Sequence, residues 1–164
     1  AKREVEWPTM RWTVLVEPGT SQVEFESYAD GSGPTGNLEQ SDEWQLVTVA
    51  WENGNATLYI NGLPTGTASV TLGEDGVAPI ILGAGNMEGN YLYNGVLDDI
   101  RIYNYAFSAE EVVDQLWYPL TGESVCLYPA EAQFDLVPDC KVDLQDFAVF
   151  AEQWLYCGFY PVCP

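Results

Sequence analysis

Two Asn-Gly dipeptides, Asn53-Gly54 and Asn61-Gly62, constrain the fold of this chain more than any other feature. Asn-Gly is the strongest short-range signal for a two-residue hairpin turn, because both residues tolerate the positive φ angles that the turn requires. Strand-forming stretches flank the first turn, "EWQLVTVAWE" before it and "NATLYIN" after it. The sequence therefore predicts antiparallel strands that pair with their neighbours along the chain.

The stretch "EWQLVTVAWE" is apolar on both faces of an extended strand. Alternate residues point to opposite sides, and the two sets are Trp44, Leu46 and Thr48 on one side and Val47, Val49 and Trp51 on the other. A strand that faces water on one side would alternate apolar and polar residues. This pattern predicts a central strand.

Further strand patterns precede and follow the hairpins, each bounded by Gly, Asn or Pro. They are "RWTVLVE", "QVEFESY", "TASVTL", "APIILG" and "GVLDDIRIYN". Short strands at this spacing are typical of an antiparallel β-sandwich. We predict a mainly β fold, an antiparallel jelly-roll β-sandwich.

Two helices and a linker are predicted after the strands. In "FSAEEVVDQLW", Ser108 and Glu111 form a capping box that starts a short helix, and Val112 and Leu116 would face the sheet. A second helix is predicted over about 144–156, with Phe147, Phe150, Ala151 and Trp154 on one face. The predicted organisation is a sandwich over 1–117, a linker over 118–133 and a loop–helix tail over 134–164.

The charge of the chain limits its partners. There are 25 acidic and 5 basic residues and no histidine, which gives a formal net charge of -20. Such a surface repels nucleic acid and anionic membranes, and no apolar run reaches the ~20 residues that span a bilayer. The absence of histidine excludes His-based catalysis and His-liganded metals. Any metal should be oxygen-liganded, and calcium is the expected ion.

All four cysteines, Cys126, Cys140, Cys157 and Cys163, lie in the last 39 residues. An even number in a short tail indicates disulfides and an oxidising compartment. The second helix would be about 18 Å long, which separates Cys140 from Cys157, whereas bridged Cα atoms lie within about 7 Å. Of the three pairings, Cys126–Cys140 with Cys157–Cys163 fits best.

The stretch "FDLVPDCKVDLQDF" has the ligand spacing of an EF-hand calcium loop. Counted from Asp135 as position 1, carboxylates fall at positions 5, 9 and 12, and position 7 would contribute a backbone carbonyl. The candidate ligands are thus Asp135, Asp139, Lys141 through its backbone, Asp143 and Asp146. Val142 at position 8 is expected to pack inward.

Two residues depart from this pattern: Val137 replaces a ligand at position 3, and Cys140 replaces the usual turn-forming glycine at position 6. In the alternative interpretation Asp143 and Asp146 are present to cap the second helix. With a helix on the downstream side alone, the stretch "DCKVDLQDFAVFAEQWL" resembles one half of a dockerin, as in the dockerin-like tails of some bacterial surface proteins.

The body resembles another family. The stretch "EWQLVTVAWENGNATLYINGLPTG" and the later "GVLDDIRIYNYAFSAEE" resemble the laminin G-like, concanavalin A-like jelly roll over about residues 11–117. This resemblance implies the fold strongly and the function weakly, since such sandwiches serve many roles. Only 43 residues precede Trp44, so N-terminal strands of the family would be missing and a sheet edge left unpaired. The alternative is that a longer precursor was trimmed.

Three further sites follow from the sequence. Asp98 and Asp99 form a candidate second calcium site, which the family resemblance allows, and the alternative is an ion pair between Asp99 and Arg101. Asn55 begins a glycosylation sequon. Glu24 and Glu26 share a strand face, but they lack the longer acidic motif of glucanases with this fold.

These observations favour a non-catalytic, secreted or cell-surface module that is stabilised by calcium and binds glycan, matrix or protein. Aromatic residues such as Trp7, Tyr91 and Tyr93 could stack on sugars, and the alternative is that they belong to the core or to an interface. A second hypothesis is a structural subunit that self-associates into an extracellular filament or surface layer, completed by strands or calcium from neighbouring copies. A third is a non-catalytic fragment of a glycoside hydrolase. No enzymatic activity, nucleic-acid partner or membrane insertion is expected.

Overall fold

The computed structural model of the chain contains two three-stranded antiparallel sheets and a helical tail. It describes residues 11–27, 29, 31–39, 42–73, 79–85, 92–129, 133–154 and 156. The first sheet has the order β1 (Thr13–Val16), β2 (Gln22–Glu26), β3 (Thr35–Asn37). The second has the order β4 (Val47–Glu52), β5 (Asn55–Ile60), β6 (Leu63–Ser69). This architecture agrees with the predicted mainly β, jelly-roll class.

The two Asn-Gly turns form as predicted and determine the register of the second sheet. Asn53 and Gly54 have φ angles of 50° and 82°, and Asn61 and Gly62 have 53° and 80°. Positive φ at both central residues defines the hairpin turn that matches the twist of the strands. The pairs that close the two turns are Glu52↔Asn55 and Ile60↔Leu63.

The apolar core lies on both faces of β5. One cluster contains Tyr59, Phe107, Val112 and Leu116, against which Leu46, Ala50 and Ala109 pack. The other contains Phe25, Ala56 and Val70, with Trp12, Val49, Ala68 and Leu72 around it. Among the described strands the central strand of this sheet is β5, whereas the Trp-led stretch was predicted to be central. Among the described strands β4 pairs with β5 alone, although both of its faces contact the core.

The predicted capping box starts the helix after the sandwich. Ser108 Oγ accepts the Glu111 N–H, and the Glu111 carboxylate accepts the Ser108 N–H at 2.8 Å. Helix α1 (Ala109–Val112) continues through a π-helical turn (Val113–Trp117) into α2 (Tyr118–Thr121), which ends at Gly122 with φ 74°. Val112 and Leu116 are buried against Tyr59, as predicted.

The predicted strand over "GVLDDIRIYN" is absent from the structure. Residues 92–105 are exposed and belong to no strand. The chain turns at Asp99, which has φ 51°, and Asp98 accepts the Asp99 N–H at 2.8 Å. A strand through this point would require Asp99 to leave the left-handed conformation. "APIILG" likewise forms no strand among its described residues 79–83, apart from a bridge at Ile80.

The tail contains the predicted second helix, α3 (Leu144–Gln153), which is capped by Asp143. By internal contacts the chain divides into two units, residues 1–125 and 126–164. The finer division into sandwich, linker and tail stays a prediction. No helix in the described ranges has the length and apolar character that crossing a bilayer requires.

Candidate functional site

The Asp135–Asp146 loop is held by bonds from its own carboxylates to its backbone. Asp135 accepts the N–H of Asp139 at 3.3 Å and the N–H of Cys140 at 2.9 Å. Asp139 accepts the Lys141 N–H at 3.0 Å. These bonds bend the chain tightly between positions 1 and 7, as an ion-binding loop requires.

Asp146 is the central acceptor of the loop and is buried, with 4% of its surface exposed. One of its oxygens accepts the N–H groups of Leu136 at 2.7 Å and Val137 at 2.9 Å. The other accepts the Asp143 N–H at 2.7 Å. These bonds, that from Asp143 first, lower the pKa of the Asp146 carboxyl below its ordinary value, and partial desolvation opposes them.

The helix-capping interpretation is confirmed for two of the aspartates. Asp143 accepts the Gln145 N–H at 2.7 Å, and with Asp146 it forms a capping box at the start of α3. Val142, expected to pack inward, is 61% exposed, so that prediction was wrong. Its burial would need neighbours that the described part of this unit does not place beside it. Capping therefore explains Asp143 and Asp146, while Asp135 and Asp139 shape the loop.

The donor set of the loop suits calcium, although the carboxylates do not converge. Every candidate ligand is an oxygen, the type that calcium prefers. Within the described part of the chain, however, no three acidic side chains form a group ready to hold a metal. Binding would require the carboxylates of Asp135, Asp139 and Asp143 to turn from the backbone toward a common centre.

The disulfide Cys126–Cys140 forms as predicted, with Cα atoms 5.9 Å apart. Cys140 has φ 65°, the left-handed conformation that glycine usually supplies at this loop position. The crosslink holds the turn where that glycine is missing. Cys157 and Cys163 lie outside the described residues.

The second candidate site contains the predicted ion pair. Arg101 donates to both oxygens of Asp99, at 2.8 Å from Nε and 2.6 Å from Nη2. Hydrogen bonds to Asp99 and then to Tyr103 raise the pKa of the Arg101 guanidinium. A cation bound by Asp98 and Asp99 would compete with this pair, so the alternative interpretation is the one that the geometry favours.

An aromatic cluster follows the ion pair and was not singled out by the sequence analysis. The rings of Tyr103 and Tyr105 lie 4.7 Å and 5.0 Å from that of Phe107 and 5.8 Å from each other. Phe107 is 7% exposed and belongs to the core, whereas the two tyrosines are 40% and 54% exposed. In "YNYAF" the three aromatic residues are each two positions apart, and this spacing is the sequence signal for the cluster.

Two of the remaining residues predicted to lie on the surface, Tyr93 and Asn55, are described and exposed. Tyr93 is 41% exposed, while Trp7 and Tyr91 lie outside the described residues. Asn55 is exposed at the start of β5, and its amide oxygen accepts the Ser69 hydroxyl at 3.3 Å. It remains a possible glycosylation site.

Comparison with known proteins identifies the body of the chain. A laminin G family model, described as the Concanavalin A-like lectin/glucanases superfamily, matches residues 5–113. Among solved structures, the chain is similar to an S-layer domain-containing protein (residues 221–444) from Clostridium thermocellum ATCC 27405. The identity is 21% and the TM-score 0.34, over 68% of this chain and 66% of that one. No curated protein matches.

Proposed function

Because the chain belongs to the concanavalin A-like lectin/glucanase superfamily, we propose that it is a non-catalytic, extracellular recognition module. Its ligand would be a glycan, a matrix component or another protein, and its dockerin-like tail would be stabilised by calcium. The observation that carries the recognition role is the aromatic cluster beside the Asp99–Arg101 pair.

This cluster combines the two surfaces that a sugar ring requires. The partly exposed rings of Tyr103 and Tyr105 can stack on the apolar C–H face of a sugar. The Tyr103 hydroxyl is hydrogen-bonded to Arg101. In the single chain, Arg101 and Asp99 provide paired polar groups beside them. Since Phe107 anchors both rings to the core, their positions are set before a ligand binds.

A glycan array followed by titration of any hit tests this role. Tyr105→Ala should weaken binding by about tenfold or more, the usual loss for an aromatic residue at the centre of a binding site. Tyr118→Ala is the matched control, because Tyr118 is equally exposed, at 52%, on α2. Equal affinity of both variants and the parent chain would contradict the assignment.

The absence of catalysis is part of the proposal. The sequence has no histidine, and Glu24 and Glu26 lie within β2, where the adjacent strand β1 pairs them with Leu15 and Thr13. Incubation of the protein with its bound glycan should leave the glycan intact. Release of shortened products would contradict the proposal.

Calcium would be held in the tail by the carboxylates of Asp135, Asp139 and Asp143 and the carbonyl of Lys141. A cation there would neutralise repulsion among these groups and so stabilise the loop. A ligand bound by the folded state alone raises the melting temperature. We expect calcium to raise it relative to EDTA, magnesium to do so less, and Asp139→Asn to reduce the shift. An unchanged melting temperature would refute the calcium site.

A second candidate function, assembly with copies of itself, is favoured by the exposed apolar residues of 92–105. Large contiguous apolar surfaces are rare on monomers and mark sites of association. Sedimentation at increasing protein concentration should reveal species heavier than one chain, and a single chain at all concentrations would contradict this function.

Secretion or display at the cell surface is the location that the Cys126–Cys140 disulfide supports, because such bonds persist in oxidising compartments. Fractionation of the native cells should place the protein in the medium or the envelope. Recovery from the cytoplasm with reduced thiols would contradict this location.

A further inference from the structure

We propose that residues 96–103 of one copy pair, as an added β-strand, with the edge of β4 that no described strand covers in a second copy. The proposal rests on the second candidate function, assembly between copies, and names the contact that would produce it. Hereafter residues 96–103 are called the donor segment.

The donor segment has the composition of a strand and pairs with no strand among the described residues. Val96, Ile100 and Ile102 are 72%, 50% and 61% exposed, and Leu97 is 48% exposed. Val96, Ile100 and Ile102 would share one face of an extended strand, since they are separated by even numbers of residues. Burying such apolar side chains in a sheet is favourable, because it removes their surface from water. The segment therefore gains free energy by joining a sheet.

The edge of β4 is the acceptor that the described strands favour. Among them, β4 is an edge strand of six residues with neither Pro nor Gly. The opposite edge, β6, carries Pro64 and Gly66, residues that weaken strand addition. The edge strands of the first sheet are shorter, at four and three residues. An open, apolar edge is a template for pairing with another chain.

The low charge of the two contacting surfaces is compatible with a second copy as the occupant of this edge. Each copy carries a formal charge of -20, so two copies repel over most of their surface. The donor segment contains Asp98, Asp99 and Arg101 as its charged residues, and the last two neutralise each other. In β4 the one charged residue is Glu52, at its end. These two surfaces can meet with little repulsion, and Coulomb repulsion elsewhere is screened by salt.

The contact is head-to-tail, because donor and acceptor are different surfaces of each copy. Such contacts produce rings when the rotation closes and filaments when it does not. The donor segment must also straighten at Asp99, whose φ of 51° is incompatible with a strand. Conversion of this residue to an extended conformation would accompany assembly.

Analytical ultracentrifugation of the full chain in EDTA, at low and high NaCl, tests the proposal. We expect association that strengthens with salt, because screening reduces repulsion and EDTA excludes calcium bridging. Ile102→Pro, which removes a ladder N–H, and Ile100→Asp should each weaken association by about tenfold or more. Leu144→Asp is the control, because Leu144 is 82% exposed in the tail, and it should leave association unchanged.

A second pair of variants tests the conformational step. Asp99→Val disfavours positive φ and should strengthen association, whereas Asp99→Asn removes the same charge but tolerates positive φ. Equal association of these two variants would contradict the straightening of the segment. If the chain assembles and Ile102→Pro assembles equally well, assembly between copies holds and this contact is wrong.

Crosslinking between copies identifies the partner. A preparation of Thr48→Cys is mixed with one of Ile100→Cys and oxidised. In the control, Thr67→Cys on β6 takes the place of Thr48→Cys. A disulfide forms when Cα atoms come within about 7 Å, so a bridge from 48 to 100 between copies supports the proposal. Capture by position 67 instead of 48 would overturn it. A protein that stays a single chain at all concentrations would also overturn the proposal. If the amides of 96–103 were protected in that single chain, the segment would be paired within its own chain.

Discussion

The sandwich and the tail are stabilised by different interactions. In the sandwich, β5 buries apolar side chains on both faces, and Ala56 and Leu58 have no exposed surface. In the tail, Leu144, Phe147 and Trp154 of α3 are each more than half exposed, and the loop is held by carboxylate–backbone hydrogen bonds and a disulfide. A small unit without a core of its own requires such crosslinks or a metal. Mutations should therefore affect the two regions through different mechanisms.

The largest loss of stability is expected from removal of a core side chain. Leu58→Ala should lower the free energy of unfolding of the sandwich by about 2–5 kcal/mol, through lost burial and a cavity. Leu63→Ala is the control, because Leu63 is 39% exposed on β6. Chemical denaturation monitored by tryptophan fluorescence measures both variants. Similar stabilities for the two would contradict a core centred on β5.

Loss of the disulfide should affect the tail alone. The bond closes a loop with a sequence separation of 14, for which the expected contribution is about 3 kcal/mol. Replacement of Cys126 and Cys140 together by serine should increase amide exchange in α3 and leave β4–β6 unchanged, as measured by hydrogen exchange with mass spectrometry. Equal increases in both regions would mean that the tail is not a separate unit.

The capping box should contribute less. Ser108→Ala removes the acceptor for the Glu111 N–H and should cost about 1 kcal/mol. Ser108→Asp, which retains a capping oxygen, should recover most of that loss. Thermal unfolding monitored by circular dichroism measures both. A larger loss for the aspartate variant would contradict the capping role.

The smallest expected effect is a pH-dependent loss of stability that is confined to the tail. The folded-state pKa of Asp146 is lowered, so its stabilising contribution is complete above its unfolded pKa of ~4 and is lost as pH falls through the folded value. The backbone amide shifts of Leu136 and Val137 in NMR spectra should follow this titration. In Asp146→Asn the pH dependence of these amide shifts should disappear. If it persisted, another carboxylate would be responsible for it.

The sequence predicted features that local interactions determine. The Asn-Gly turns, the Ser108 capping box and the Cys126–Cys140 bridge depend on residues close in sequence or on the length of one helix. The strand over 95–104 was predicted from its apolar pattern, but a strand requires a partner, and the pattern does not indicate whether one is available. The same holds for Val142, whose burial depends on neighbours from elsewhere.

The candidate site was predicted in part for a related reason. Spacing identified the aspartates, but it could not distinguish a carboxylate directed to a metal from one bonded to the backbone. Asp146 illustrates this ambiguity, since a ligand at position 12 and a helix cap at N3 place the same residue in the same position. The tyrosines of the aromatic cluster were missed because their exposure depends on the path of the whole segment.

Hydrogen exchange of the full chain in calcium and in EDTA tests the difference between the two regions most directly. If the tail depends on a crosslink and a cation while the sandwich depends on its core, calcium should protect amides over 135–154 and leave those of β4–β6 unchanged. Asp135→Asn should abolish that protection. Identical exchange with and without calcium, or equal protection of both regions, would contradict this account.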